Sequence, residues 1–330
     1  MVDHLKRSFQ PAWWLRGRHA QSLGARLLRP RQGIRLSRER VELPDGDFLD
    51  LDWPPSPPTD GGRTTSPLVV VLHGLEGSAR SKYALQTYQE LRKRGIAAVG
   101  MNFRGCSGEP NRLPRMYHSG ETRDLSWLLE ELQRRFPARA LGAVGFSLGG
   151  NVLLKYLAEH DAPCLLAAVA VSVPFDLAAG ATWIERGFSR VYRRYLVRKL
   201  ASKVRAKREL LERQVDVKAL LAARTFWEFD DRGTAPLHGF RDARDYYERS
   251  SSGPLLGNVC VPTLVIHSRD DPFVPASAIP ESLMARNPLI DARISETGGH
   301  VGFVAGPPWA PVFWAERTTA EFLAERLNER

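Results

Sequence analysis

Gly145-Phe146-Ser147-Leu148-Gly149, with Gly150 following, fits the pattern G-x-S-x-G. A buried apolar segment precedes it and an amphipathic helical segment follows. In that context the pattern predicts a sharp strand-to-helix turn that forces the serine into a strained backbone conformation. Gly145 and Gly149 lack Cβ atoms, so strand and helix can approach closely. The Ser147 hydroxyl is then expected above the sheet edge, at the positive end of the helix.

The flanks extend this reading in both directions. Leu68–Leu72, Ala97–Asn102, Ala140–Gly145 and Leu165–Val173 are short apolar runs, as expected of strands buried on both faces. Helical patterns separate them at about 81–94, 120–135 and 148–159. Strands alternating with helices predict parallel units with right-handed crossovers. Upstream, RVELPDGDFLDLDW alternates around a Pro-Asp-Gly turn and reads as an antiparallel hairpin at the sheet edge. The Pro-, Gly-, Ser- and Thr-rich stretch at 54–67 reads as an exposed turn. Residues 1–38 read as an N-terminal arm. The alternation stops near Pro174, and residues 175–255 read as a helical lid inserted within one domain. It resumes with strand 262–267, a helix near 276–286, strand 290–296 and a last helix at about 309–328. Together these predict an α/β-hydrolase fold: a mostly parallel sheet flanked by helices, interrupted by a lid after the strand that follows the nucleophile helix.

A nucleophilic serine needs a base, and the base needs an orienting carboxylate. In this fold the order along the chain is serine, acid, histidine. Asp271, just before the Pro272-Phe273 turn, is the expected acid, and His300, flanked by glycines, the expected base. Asp270 is adjacent, so a small register shift exchanges the two acids; otherwise it is expected to be solvated or to cap the turn. Asp176 is a third candidate. Oxyanion donors are expected from the backbone N–H groups of Leu148 and Leu75, with Gly74 in the same loop and His73 bracing it. After strand 97–102, the reading pairs Arg104 with Glu109 and lets Ser119 cap the next helix.

The composition narrows the function classes. The chain has 330 residues, 43% hydrophobic and 25% charged, ordinary for a globular protein. Three separated cysteines argue against a disulfide framework and suit a reducing cytoplasm, and no signal-peptide pattern opens the sequence. Neither histidine spacing nor the glycine pattern indicates a metal, a phosphate cradle or a dinucleotide, so no cofactor is expected. The net charge of +10 is concentrated: residues 186–213 hold eleven Lys or Arg against two Glu. Phe188, Val191, Tyr195, Leu196, Leu200 and Val204 there roughly share one helical face. Such a segment fits a solvated helix, or one that touches an anionic membrane surface or attracts an acidic substrate. It carries no nucleic-acid recognition motif.

Longer blocks carry a resemblance. PAWWLRGRHAQSL near the N-terminus, HGLEGS at 73–78, NFRGCSGEPNR at 102–112, YHSGET at 117–122, GFSLGGN at 145–151, EFDD at 228–231, DDPFVP at 270–275 and GGHVGF at 298–303 resemble the YheT-like α/β hydrolases. That resemblance implies a triad of Ser147, Asp271 and His300 and esterase activity on carboxylic esters, lipid esters included. Thioester or amide cleavage by the same triad, and a non-catalytic ligand- or lipid-binding role, remain alternatives.

Overall fold

Leu68, Val70 and Leu72 point into one hydrophobic core while Val69 and Val71 point into another. That alternation follows from the period of two along a strand, and it requires helices on both faces. The computed structural model describes residues 8–30, 33–55, 57, 65–160 and 164–328, so most of the expected turn at 54–67 lies outside the described residues. Eight strands form one sheet in the order β1-β2-β4-β3-β5-β6-β7-β8. They are β1 (Ser37–Glu42), β2 (Phe48–Trp53), β3 (Leu68–Leu72), β4 (Ala97–Asn102), β5 (Leu141–Phe146), β6 (Leu165–Val171), β7 (Thr263–Ser268) and β8 (Ile290–Ser295). β1 and β2 pair antiparallel at one edge, and β3 to β8 run parallel.

An N-terminal helix, α1 (Arg18–Leu28), precedes the sheet, and α2 (Lys82–Arg92), α3 (Arg123–Arg135) and α4 (Leu148–Glu159) follow β3, β4 and β5. α3 buries Leu125, Leu128, Leu129 and Leu132, the i, i+3, i+4, i+7 stripe of an amphipathic helix. Between β6 and β7 the chain runs through α5 (Leu177–Trp183), α6 (Ser189–Ala206), α7 (Arg208–Leu211), α8 (Val217–Leu221), α9 (Phe226–Phe229), α10 (Ala235–Leu237) and α11 (Ala243–Ser250). This insertion has its own small core around Leu200, Val204, Leu211, Leu220 and Phe229. After β7 come α12 (Glu281–Arg286) and, beyond β8, α13 (Trp314–Leu327).

Several expectations need correction. The helix near 276–286 is broken: a single turn at Ala276–Ala278 is followed by α12, because Pro280 lacks the N–H a continuous helix requires. The last helix begins only at Trp314, after a short hairpin of β9 (Val304–Ala305) and β10 (Val312–Phe313). The apolar residues of α6 do not share a face. Leu196, Leu200 and Val204 are buried, whereas Phe188, Val191 and Tyr195 are exposed. Arg104 does not pair with Glu109. It makes two 2.7 Å bonds to Asp124 and reaches Asp45 and Asp47 in the hairpin turn, while Glu109 pairs with Arg40. Ser119 caps nothing: Thr122 sits at the N-cap of α3, and the Ser119 backbone joins Tyr246 and Asn151 instead.

Candidate active site

The turn between β5 and α4 puts Ser147 at φ 53° and ψ −119°, a region that non-glycine residues rarely occupy. The glycines around it are explained by space. A Cβ on Gly145 would lie 2.3 Å from the Gly149 carbonyl oxygen, and one on Gly149 would lie 2.6 Å from the His73 oxygen. Only a bare backbone lets α4 start this close to β3 and β5.

Two loops at the carboxyl ends of neighbouring strands supply the partners. The loop after β7 carries Asp270 and Asp271, and the loop after β8 carries His300. His300 Nε2 lies 2.9 Å from Ser147 Oγ, and its Nδ1 lies 2.8 Å from Asp271 Oδ2. A carboxylate facing Nδ1 fixes that nitrogen as the N–H donor and leaves Nε2 to accept from the serine hydroxyl. Asp271 Oδ1 accepts the Phe273 N–H at 2.7 Å, and the Phe273 ring stacks on His300 with centroids 4.1 Å apart. Asp270 turns to the other loop. Its Oδ1 accepts the Gly299 N–H at 2.9 Å, so this half-buried carboxylate holds the histidine loop rather than being simply solvated. Asp176 is also placed elsewhere, capping α5 through the Ala179 N–H.

The loop after β3 approaches from the opposite side of the turn. A Cβ on Gly74 would stand 3.1 Å from the Ser147 Cβ. His73 is fully buried. Its Nε2 accepts the Phe103 N–H at 3.2 Å, which leaves Nδ1–H to donate to the Gly74 oxygen at 2.8 Å. Burial lowers its pKa to about 3, so the ring is neutral and acts as a brace. The Gly74 N–H donates to Tyr83 and the Glu76 N–H to Tyr117. The N–H groups of Leu75 and Leu148 have no such acceptor among the described residues. Both residues line the same cavity as Ser147.

Sequence reasoning missed the support from α1. Ser22 Oγ accepts the His300 N–H at 2.8 Å. Gln21, fully buried, clamps the backbone of Val304 from both sides. Arg29 donates to the Val301 oxygen at 2.8 Å and pairs with the buried Glu316 at 2.6 Å. Gly299, at φ 64°, is required for this fit, since a Cβ there would lie 2.4 Å from the Arg18 oxygen. The only sequence signal was the block PAWWLRGRHAQSL, which carried a resemblance but no stated role.

Ser147, Leu148, Leu75 and His300 line a cavity of about 890 Å³, to which the insertion contributes Leu196, Phe226 and other side chains. Among the described residues, no group of three His, Cys, Asp or Glu is placed to hold a metal ion.

Comparison with known proteins places this geometry. A family model for the alpha/beta hydrolase fold matches residues 67–307. The chain is 44% identical to "Putative esterase YheT" of Escherichia coli, over 94% of its own length and 92% of that protein's. It is a YheT-like member of the α/β-hydrolase family. A second relative of this hydrolase is the human "Phospholipase ABHD3", 29% identical over 93% of this chain and 76% of that one. The esterase Pf2001 of Pyrococcus furiosus shares the fold with a TM-score of 0.58 at 18% identity, covering 89% of this chain and 92% of that one. The relatives are thus esterase- and lipase-type hydrolases.

Proposed function

We propose that this α/β hydrolase cleaves carboxylic esters through an acyl-enzyme on Ser147. The observation that carries the reading is the continuous relay Ser147 Oγ–His300–Asp271, with hydrogen-bond distances of 2.9 and 2.8 Å. His300 Nε2 takes the hydroxyl proton as Ser147 Oγ attacks the ester carbonyl. Asp271 orients the imidazole and stabilises its charged form. The oxyanion is met by the Leu75 and Leu148 N–H groups, placed before the charge develops. His300 then protonates the departing alcohol, and water activated by the same ring releases the acid. The insertion acts as a lid whose apolar side chains receive the acyl chain.

Labelling by a fluorophosphonate probe and turnover of a p-nitrophenyl ester series from acetate to long chains test this. Both are expected to vanish in Ser147→Ala, with turnover falling by a factor on the order of 10⁴ or more. A folded wild type that is neither labelled nor active would favour a ligand-binding protein. A thioester or amide turned over faster than any ester would keep the mechanism and replace the substrate class.

A second reading concerns where the enzyme works. Leu23 and Leu27 of α1 line the cavity and are exposed, Leu27 by 76%, and Phe188 and Val191 at the start of α6 are exposed too. Arg190, Arg194 and Arg198 of the same segment are solvent-facing. An apolar rim set in cationic side chains matches an anionic membrane surface. Sedimentation with phosphatidylglycerol-containing vesicles, but not with pure phosphatidylcholine, is the expected outcome. Equal or absent binding to both would sink this reading.

A further inference from the structure

Arg26, Arg29, Arg80, Lys82 and Lys199 all line the cavity that holds the Ser147 hydroxyl. Two of them are neutralised within the fold: Arg29 by Glu316 at 2.6 Å and Arg80 by Asp52 at 3.1 Å. Lys82 is turned to the Leu27 carbonyl at 3.1 Å. Arg26 and Lys199 have no carboxylate within ion-pair distance among the described residues. They come from different elements, α1 and α6, yet converge on one side chain. The Arg26 guanidinium carbon stands 5.2 Å from the Tyr195 ring centroid and Lys199 Nζ stands 5.7 Å from it. Arg26 also donates to the Tyr195 hydroxyl at 3.2 Å, and Tyr195 is 44% exposed at the cavity rim. The hydrogen bond from Arg26, then the charge of Lys199, pulls the phenol below its ordinary pKa.

The carboxylates on the cavity wall are engaged elsewhere. Glu76 Oε1 takes an ion pair from Lys203 at 2.8 Å and the Tyr117 hydroxyl at 2.8 Å. Asp230 accepts from Thr234 and Tyr247. Lys199 Nζ donates to the Glu76 carbonyl at 2.7 Å, one residue beyond the Leu75 amide, so one of the unpaired cations sits beside the loop expected to meet the oxyanion. Both cations stand close to the Tyr195 ring centre, at 5.2 and 5.7 Å, and carry no counter-ion, so an anion seated beside that ring gains charge-assisted hydrogen bonds.

We propose that Arg26, Lys199 and the Tyr195 hydroxyl form a subsite for an anionic group, a phosphate or a carboxylate, carried by the ester that Ser147 attacks. The apolar side chains of the cavity take the acyl chain and the cationic rim takes the charge, so the substrate is an amphiphilic anionic ester. The assignment rests on the ester-hydrolase reading for its catalytic consequence but not for binding.

The discriminating substrates are 1-hexanoyl-glycerol and 1-hexanoyl-glycerol 3-phosphate, which share one ester bond and differ by one phosphate. We expect the wild type to prefer the phosphorylated ester by about tenfold in kcat/KM at low salt, which is about 1.4 kcal/mol. In Lys199→Gln and Arg26→Gln the ratio of the two kcat/KM values falls by about three- to tenfold, and Lys199→Arg retains most of it. A structural role alone would lower both esters together and leave the ratio unmoved. Equal turnover of the two esters by the wild type, or an unmoved ratio in both Gln variants, overturns the proposal. Calorimetry of octyl phosphate against octanol on Ser147→Ala reads the subsite without chemistry. Phosphate-dependent binding that Lys199→Gln removes supports the subsite even where no ester is hydrolysed and the hydrolase reading has failed. Equal binding of the two probes overturns it. Presenting the phosphorylated ester free or in phosphatidylcholine vesicles tells a soluble substrate from a lipid headgroup by which form is turned over faster.

Discussion

Asp270 and Asp271 are neighbours on one turn and hold different parts of the same histidine loop. Asp271 meets the His300 ring, and Asp270 meets the backbone at Gly299. The consequences of removing each charge therefore differ. In Asp271→Asn the amide presents a donor or a weaker acceptor to Nδ1 and favours the wrong tautomer, so kcat for an ester is expected to fall by about 10³- to 10⁴-fold. In Asp270→Asn the side-chain oxygen can still accept from Gly299, and the loss is expected to stay within about tenfold. Steady-state turnover of both variants checks this. A larger loss in Asp270→Asn than in Asp271→Asn would exchange their roles. The sequence placed both acids in the turn and favoured Asp271 from its place before Pro272, although a one-residue register shift would exchange them. Only the hydrogen-bond partners, 29 residues away, separate them.

At the scale of elements, the signals that could be read were local and those that could not were distant. The run Leu68–Leu72 and the glycines of the Ser147 turn declare themselves through their own composition, and the strands fall close to where that composition put them. α1 declares nothing: its Gln21 acts on Val304, 283 residues away. The same distance hides the role of Arg29, whose partner Glu316 lies in the last helix and is fully buried. Burial raises the Glu316 pKa, with the Arg29 charge opposing that effect. Arg29→Met leaves this carboxyl without its cation and is expected to destabilise the fold by about 3–5 kcal/mol, read from urea unfolding. The double variant Arg29→Met/Glu316→Met is expected to recover most of that, since two apolar side chains of similar volume replace the pair. Its ester turnover should remain depressed, because neither methionine restores the bond to the Val301 carbonyl beside His300. A single variant as stable as the double would show that the buried Glu316 costs nothing without its cation.

The whole molecule buries titratable groups of both signs, and their balance sets its behaviour in acid. Burial is the leading cause of lowered pKa values at five histidines, His19 and four more deeply enclosed ones. His73 and His238 fall to about 3, His267 to about 4, and His118 lies well below its ordinary value. Each is neutral in the fold and protonated in the unfolded chain below pH 6.5. Its stabilising contribution is therefore present above 6.5 and is lost as pH falls towards 3 or 4. At pH 5 the fully buried His73 and His267 each withdraw about 2 kcal/mol, and His118 and His238 add to that in the same direction. Asp230 opposes them. Burial raises its pKa to about 6, so its contribution is present at low pH and lost as pH rises through 6. Its carboxyl faces the cavity and not a dry core, so the shift counts for about 1 kcal/mol between pH 5 and 7. The histidines outweigh it. The unfolding midpoint in urea is expected to drop markedly from pH 7 to pH 5, with a slope corresponding to more than one proton taken up on unfolding. Glu316 and Asp270, whose carboxyls burial also raises, act in the same direction as Asp230, and the drop should steepen in Asp230→Asn, which removes one of these opposing groups. A midpoint that holds or rises at pH 5 would mean that these histidines are protonated inside the fold. In that case the neutral His73 brace under the Leu75 loop would have to be abandoned with them.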